Sequence, residues 1–167
     1  MIDKADILNN ITQIDTLYQN HIGDNEAPYY SKLAVLEVCG WIEESMDNIA
    51  QGCAQKHLKE TKNLDFVKKD IIKRTTSFEY DQHFRNMLMR LVGMINIERL
   101  EQILDLHKFT KMTSSLSALK QRRDELAHTY IKGTTPTIDA PSLTKGRFLN
   151  VYEGLKDIES YISKMRI

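Results

Sequence analysis

Four residues in one short segment have the types and spacing needed for chemistry on a phosphate. The segment reads Arg-Asp-Glu-Leu-Ala-His-Thr-Tyr and contains Arg123, Asp124, His128 and Tyr130. Arginine is always cationic and suits a phosphate, whereas histidine titrates near neutral pH and can carry a proton. Arg123 and His128 are therefore the minimum for metal-independent RNA cleavage, with the 2′-hydroxyl as internal nucleophile. Asp124 can orient His128 four residues later, and Tyr130 can hydrogen-bond a phosphate or be a modification target.

The surrounding residues favour an anionic ligand. Between positions 108 and 132 there are six basic and two acidic residues, a local excess of four positive charges in a chain whose formal net charge is zero. We therefore expect Lys120, Arg122 and Lys132 to contact RNA. The same composition also fits a solvent-exposed helix end, because cations are favourably placed near a helix carboxyl terminus.

The spacing of apolar residues predicts the helix that carries this segment. Its seam is Met112, Leu116, Leu119 and Leu126. One member of the regular pattern is missing, and that position is Arg123. A charged side chain on a buried seam costs free energy unless it has a partner or a wet cleft. We predict a helix that begins near Ser114 or slightly earlier and continues to Tyr130, followed by Gly133 as the C-cap.

An ideal helix separates the two candidate catalytic side chains. Arg123 and Tyr130 are seven residues apart and lie within about 20° of each other around the axis. Arg123 and His128 are five residues apart, which places them about 140° apart. A long arginine side chain, or a distortion near the helix end, must bring Arg123 and His128 to one cleft.

Composition predicts a single helical domain over residues 1–167. The chain has three prolines and seven glycines, and 41% of its residues are hydrophobic. We find no convincing alternating strand pattern and no run of apolar residues long enough to span a bilayer. The expected fold is all-α, a bundle of about five main helices, and the expected location is the cytoplasm because the first residues lack signal-peptide order.

Helices are predicted at 3–21, from about 29–31 to 58, at 61–76, at 83–95 and at 143–165. A further helix is predicted to begin just after Asn96, which would be its N-cap. We predict loops at 75–81 and 133–142, and we expect Pro28 to delay the start of the second helix. Glu43 and Glu44 are interpreted as parts of a solvated face.

The two cysteines are interpreted as small buried residues. Cys39 and Cys53 are 14 residues apart on one predicted helix, about 21 Å along its axis, which is beyond disulfide reach. Neither has a histidine or cysteine partner at zinc-ligand spacing. We expect no metal and no cofactor.

The pattern of arginine, four residues, histidine, one residue and tyrosine, near the end of a late helix, resembles the HEPN superfamily. The polar residue after Arg123 and the Leu-Ala pair before His128 match the usual form of the motif, although Asp124 stands where asparagine is common. By helix order, most of residues 1–165 is similar to the bacterial single-domain group called RiboL-PSP-HEPN. The specific match covers only 123–130.

The resemblance implies a homodimer with the two motif copies in one composite site at its interface. It implies a metal-independent endoribonuclease of a toxin–antitoxin, phage-defence or stress system. Arg123 and His128 would be catalytic and Asp124 supporting. Tyr130 matches the tyrosine that is adenylylated in HEPN toxins paired with a minimal nucleotidyltransferase, which makes such an antitoxin a possible partner.

Two other interpretations remain open. The chain could be a non-catalytic HEPN module that binds RNA, nucleotide or a partner protein. It could also be a helical interaction domain in which Arg123 makes a structural salt bridge.

Overall fold

The computed structural model describes residues 1–128, 130–131 and 138–165, and within these ranges the chain is helical with no strand. The α-helices are α1 (Ala5–Asn20), α2 (Ala27–His57), α3 (Thr61–Phe66), α4 (Arg85–Val92), α5 (Met94–Ile103), α6 (Leu106–Ala127) and α7 (Pro141–Lys164). Two π-helical segments, Val67–Ile72 and Tyr80–Phe84, continue α3 and precede α4. The all-α prediction is confirmed, but the described residues form seven α-helices rather than about five.

The prediction that Pro28 delays the start of α2 is wrong, because Pro28 lies in the first turn of that helix. Proline is well accommodated there because the backbone N–H that it lacks would have no partner inside the helix. Pro141 begins α7 in the same way, two residues before the predicted start at 143.

The helix that carries the candidate site differs from its prediction at both ends. It begins at Leu106, because the Asp105 side chain accepts a hydrogen bond from the Lys108 backbone N–H at 2.9 Å and so caps the first turn. It ends at Ala127, so the prediction that Tyr130 shares a helical face with Arg123 is wrong. Gly133, the predicted C-cap, lies outside the described residues.

The middle of the chain also departs from the sequence pattern. The predicted loop at 75–81 is confirmed over 75–79, which lie outside any helix, but Phe78 and Tyr80 are 0% and 3% exposed and belong to the core. Gly93, with φ +81°, separates α4 from α5. Asn96 does not cap a helix; its side chain donates to the Val92 carbonyl at 2.7 Å.

The long helices α1, α2, α6 and α7 pack around one hydrophobic cluster. The α6 and α7 helices are antiparallel, since Lys108 near the start of α6 donates a hydrogen bond to Asp157 late in α7, whereas Asn150 earlier in α7 donates to Ser115 further along α6. They approach closely at Gly154, where an added Cβ would lie 2.5 Å from the Met112 Cβ. No helix among the described residues is both long enough and apolar enough to cross a membrane.

Candidate functional site at the carboxyl end of α6

Arg123 lies in the last turns of α6 and is held by three neighbours. Its Nη1 donates to Glu43 Oε1 on α2 at 2.9 Å, and its Nε donates to Asp124 Oδ1 at 2.8 Å. Its guanidinium carbon lies 5.2 Å from the centre of the Phe78 ring, within cation–π range. The side chain is 22% exposed. The seam position predicted to need a partner or a wet cleft therefore has a carboxylate partner inside the same chain.

Asp124 lies between two cations. Its Oδ2 accepts from Lys120 Nζ at 2.9 Å, while its other oxygen accepts from Arg123. The hydrogen bond from Lys120, together with the positive charge of Arg123, holds the pKa of Asp124 below its usual value. Lys120 is also 3.9 Å from Glu79, so its charge is shared between two carboxylates.

Arg122 belongs to a separate cluster, on the side of α6 that meets the start of α7. It donates to Glu125 at 2.9 Å and lies 3.4 Å from Asp139, which also pairs with Arg147 at 2.7 Å. This cluster ties the end of α6 to the segment before α7. The structure therefore does not bring Arg122 together with Arg123, although the two are adjacent in sequence.

His128 and Tyr130 lie beyond the last helical turn. His128 follows Ala127 as the C-cap, with φ −106° and ψ 3°, and its residue is exposed. Among the described residues, no side chain forms a hydrogen bond or ion pair with the His128 imidazole. Tyr130 is 71% exposed. Lys132, the last of the predicted RNA-contacting residues, lies outside the described ranges.

Sequence reasoning missed Glu43 and Phe78 as neighbours of Arg123. The sequence predicts that Glu43 belongs to a solvated face, but its side chain, 41% exposed, is the ion-pair partner of Arg123. The available signal is the arginine on an apolar seam, because such a residue needs either a partner, such as a carboxylate from an adjacent helix, or a wet cleft. Phe78 carried no such signal, since it lies in a segment without helical periodicity.

A small cavity of about 110 Å³ adjoins the Arg123–Glu43 pair. Its lining residues are Glu43, Met46, Asp47, Thr75, Thr76, Ser77 and Met87. Burial, and then the negative charges of Glu43 and Glu44, raise the pKa of Asp47 to about 6. The Ser77 hydroxyl is buried and has no hydrogen-bond partner among the described residues. This polar cavity is large enough for a few ordered water molecules but too small for a nucleotide.

The cysteines are buried, as predicted. Cys39 lies against the Leu119 carbonyl on α6, and burial raises the pKa of its thiol to about 12. Cys53 is also buried and free. Within the described ranges no group of three or more histidine, cysteine, aspartate or glutamate side chains is arranged to hold a metal ion.

Comparison with known proteins gives no family assignment: no family model, no curated protein and no solved structure matches the chain.

Proposed function

We propose that the protein is a HEPN-type, metal-independent endoribonuclease of the toxin–antitoxin or phage-defence kind, active as a homodimer with a composite site at its interface. The observation that supports this best is the arrangement at the end of α6. Arg123 is fixed by packing and hydrogen bonds, and His128 follows the last turn in non-helical geometry, exposed to solvent. The break after Ala127 releases His128 from the ideal-helix angle that would separate it from Arg123.

The proposed reaction is an internal transesterification. His128 removes the proton from a ribose 2′-hydroxyl, and the 2′-oxygen attacks the adjacent phosphorus. The bond from phosphorus to the 5′-oxygen breaks, and that oxygen takes the proton that His128 has accepted, so that a 5′-hydroxyl leaves and His128 returns to its neutral form. Arg123 stabilises the charge that develops on the phosphoryl oxygens. The other product is a 2′,3′-cyclic phosphate.

Other side chains have supporting parts in this proposal. Asp124 fixes the Arg123 guanidinium through Nε, and Lys120, Arg122, Lys132 and Tyr130 contact the RNA strand. The hydrogen bonds of Arg123 within the described residues use Nε and Nη1, which leaves Nη2 for a phosphate oxygen. A phosphate bound there must compete with Glu43 for the guanidinium.

A non-catalytic module that binds RNA, nucleotide or a partner protein is the second candidate function. The Arg123–Glu43 ion pair favours it, because a guanidinium already paired with two carboxylates stabilises an additional phosphate less strongly. In that case the pair holds α6 against α2, and the exposed residues around it supply the binding surface.

The test is incubation of total RNA with the wild type and with Arg123→Ala and His128→Ala, in EDTA. We expect fragments with cyclic phosphate ends from the wild type and a loss of at least about 100-fold in each variant. Arg85→Ala is the matched control for the arginine, since Arg85 forms an ion pair of similar exposure with Glu101. His107→Ala, in the first turn of α6, is the control for the histidine.

Three outcomes separate the candidates. Fragments from the wild type and both controls, but not from the two site variants, support the ribonuclease. RNA retention without fragments supports the non-catalytic module. Equal cleavage by all five proteins, or cleavage that EDTA abolishes, contradicts the proposed mechanism.

A further inference from the structure

A larger cavity, of about 680 Å³, lies between the carboxyl-terminal turns of α2 and α7. Its volume is in the range of small-molecule sites. It shares no lining residue with the cavity beside Arg123. What it binds is therefore a question separate from the proposed ribonuclease activity.

The floor of this cavity is aliphatic. It is formed by Ile49, Cys53 and Ile162, which are 3%, 7% and 2% exposed, so their outward surfaces are turned to the cavity rather than to bulk solvent. None of the described lining residues is aromatic. Such a surface offers an alkyl chain apolar contact but gives a nucleobase no ring to stack on.

Gly52 widens the floor. It lies in the interior of α2, and a Cβ added to it would meet nothing within 4 Å. No neighbouring helix uses this space, in contrast to Gly154, whose missing Cβ admits Met112. A side chain at position 52 would therefore enter the cavity without disturbing the helices.

The rim of the cavity carries an excess of positive charge. Its two acids are already paired, Asp157 with Lys108 at 3.3 Å and Glu159 with Lys156 at 2.7 Å. Lys56 and Lys164 have no carboxylate partner among the described residues. Within the described ranges the Lys56 ammonium donates only to the Ser163 carbonyl. At the mouth of the cavity, two ammonium groups therefore have no carboxylate partner in the part of the chain that the structure describes.

We infer that this cavity binds a single-chain amphipathic anion, with the alkyl chain against Ile49, Cys53 and Ile162 and the carboxylate or phosphate head at Lys56 and Lys164. The buried floor supplies hydrophobic affinity and the two ammonium groups supply head-group recognition. A neutral or cationic amphiphile of the same chain length would make the apolar contacts but would not be recognised by the two ammonium groups. A short anion such as acetate could reach the ammonium groups but has no alkyl chain to bury.

The test uses calorimetric titration of the full chain with decanoate and decyl phosphate, each below the concentration at which it forms micelles. Acetate and decyltrimethylammonium are the matched ligand controls. We expect saturable one-to-one binding of at least one decyl anion and no measurable binding of either control. The carboxylate and phosphate arms identify which head group is preferred.

Gly52→Leu tests the location. A leucine side chain at position 52 fills the space that the alkyl chain would occupy, so we expect affinity to fall about ten-fold or more. Gly40→Leu is the control, because Gly40 lies on the same helix, outside the cavity, and also has open space at its Cβ position. Both variants should keep the thermal midpoint of the wild type or raise it, since leucine favours a helix over glycine.

Lys56→Gln with Lys164→Gln tests the head group. We expect the double variant to lose about ten-fold in affinity for the decyl anion and most of its salt dependence. The inference is overturned if neither decyl anion binds, if Gly52→Leu binds as well as Gly40→Leu, or if decyltrimethylammonium binds as tightly as the anions. None of these outcomes depends on RNA cleavage, so the two proposals succeed or fail separately.

Discussion

At Arg123 an observed structural role and the proposed catalytic role involve the same side chain. Its guanidinium is paired with Glu43 and Asp124 and lies over the Phe78 ring, yet it remains 22% exposed. A side chain held in one orientation is what transition-state stabilisation requires, because no reorganisation is then needed during the reaction. The same contacts also stabilise the packing of α6 on α2. Stability and activity must therefore be measured on the same variants.

A double-mutant cycle on Arg123→Ala and Glu43→Ala measures the structural part. We expect a coupling free energy of about 1 kcal/mol, since the pair is partly exposed and hydrogen-bonded at 2.9 Å. Urea unfolding of the four proteins gives the value. A cycle on Arg123 and the exposed Glu44 should give a coupling near zero, and equal values for Glu43 and Glu44 would contradict the ion pair as the source.

The raised pKa of Asp47 leads us to predict that the free energy of unfolding depends on pH. Burial raises its pKa to about 6 in the folded protein, so the folded state holds a proton that the unfolded chain releases near pH 4. The free energy of unfolding should therefore fall as pH rises from about 4 to about 6. Asp47→Asn removes this loss, and above pH 6 it should be more stable than the wild type by on the order of 1 kcal/mol after screening.

Thermal unfolding at several pH values tests this prediction. The gain from Asp47→Asn must disappear below about pH 4, where the wild-type carboxyl is protonated in both states. Glu37→Gln, on an exposed face of the same helix, is the control and should give no such pH-dependent gain. A gain that persists in acid would show that the substitution acts through packing rather than through charge.

At the level of the helices, α6 and α7 are joined by the close contact at Gly154. An alanine Cβ there would lie 2.5 Å from the Met112 Cβ and 2.6 Å from its sulfur. Neither helix can move away without opening the hydrophobic cluster, so we expect Gly154→Ala to cost about 1–3 kcal/mol in the free energy of unfolding. Circular dichroism during urea unfolding measures the cost.

Gly146, on the same helix, is the control because it has the open space at its Cβ position that Gly154 lacks. Its Cβ position meets nothing within 4 Å, so Gly146→Ala should be neutral or stabilise α7 by about 0.5–1 kcal/mol. Equal destabilisation by both substitutions would mean that the α6–α7 contact is looser than the structure has it.

The sequence was sufficient for the long helices and for the type of fold, because the burial periodicity of α1, α2, α6 and α7 is regular over many turns. It was insufficient where local signals oppose tertiary packing. Asp105 caps α6 earlier than the apolar seam suggests, and Phe78 is buried although its segment has no periodicity. At the site, the sequence identified Arg123 as anomalous but could not identify Glu43, since a partner eighty positions away is set by how α6 crosses α2.

At the scale of the whole molecule, the proposed function requires that the protein form a homodimer. We predict a dimer in sedimentation equilibrium, with the exposed Tyr130 at the contact. Tyr130→Asp places charge in that interface, so we expect a shift to monomer together with loss of RNA cleavage. Leu106→Asp is the control, because Leu106 is 77% exposed at the other end of α6, about 30 Å away along the axis.

Dimer and cleavage should be lost together in Tyr130→Asp and kept together in Leu106→Asp. A wild type that cleaves RNA as a monomer would refute the composite site while leaving a ribonuclease possible. A dimer that survives Tyr130→Asp with full activity would place the interface elsewhere.

The contact between Met112 and Gly154 also allows separation of α6 from α7 to be measured through methionine oxidation. The Met112 side chain is 0% exposed, so peroxide can oxidise its sulfur only when α6 and α7 separate, whereas Met94 is 66% exposed and reacts without any opening. Because oxidation is slow relative to reclosing, the ratio of the two sulfoxide formation rates, read by mass spectrometry on one sample, reports the fraction of time that the helix carrying Arg123 is separated from α7. Because the Met112 side chain fills the space at Gly154, a sulfoxide there should also destabilise the packing of α6 on α7.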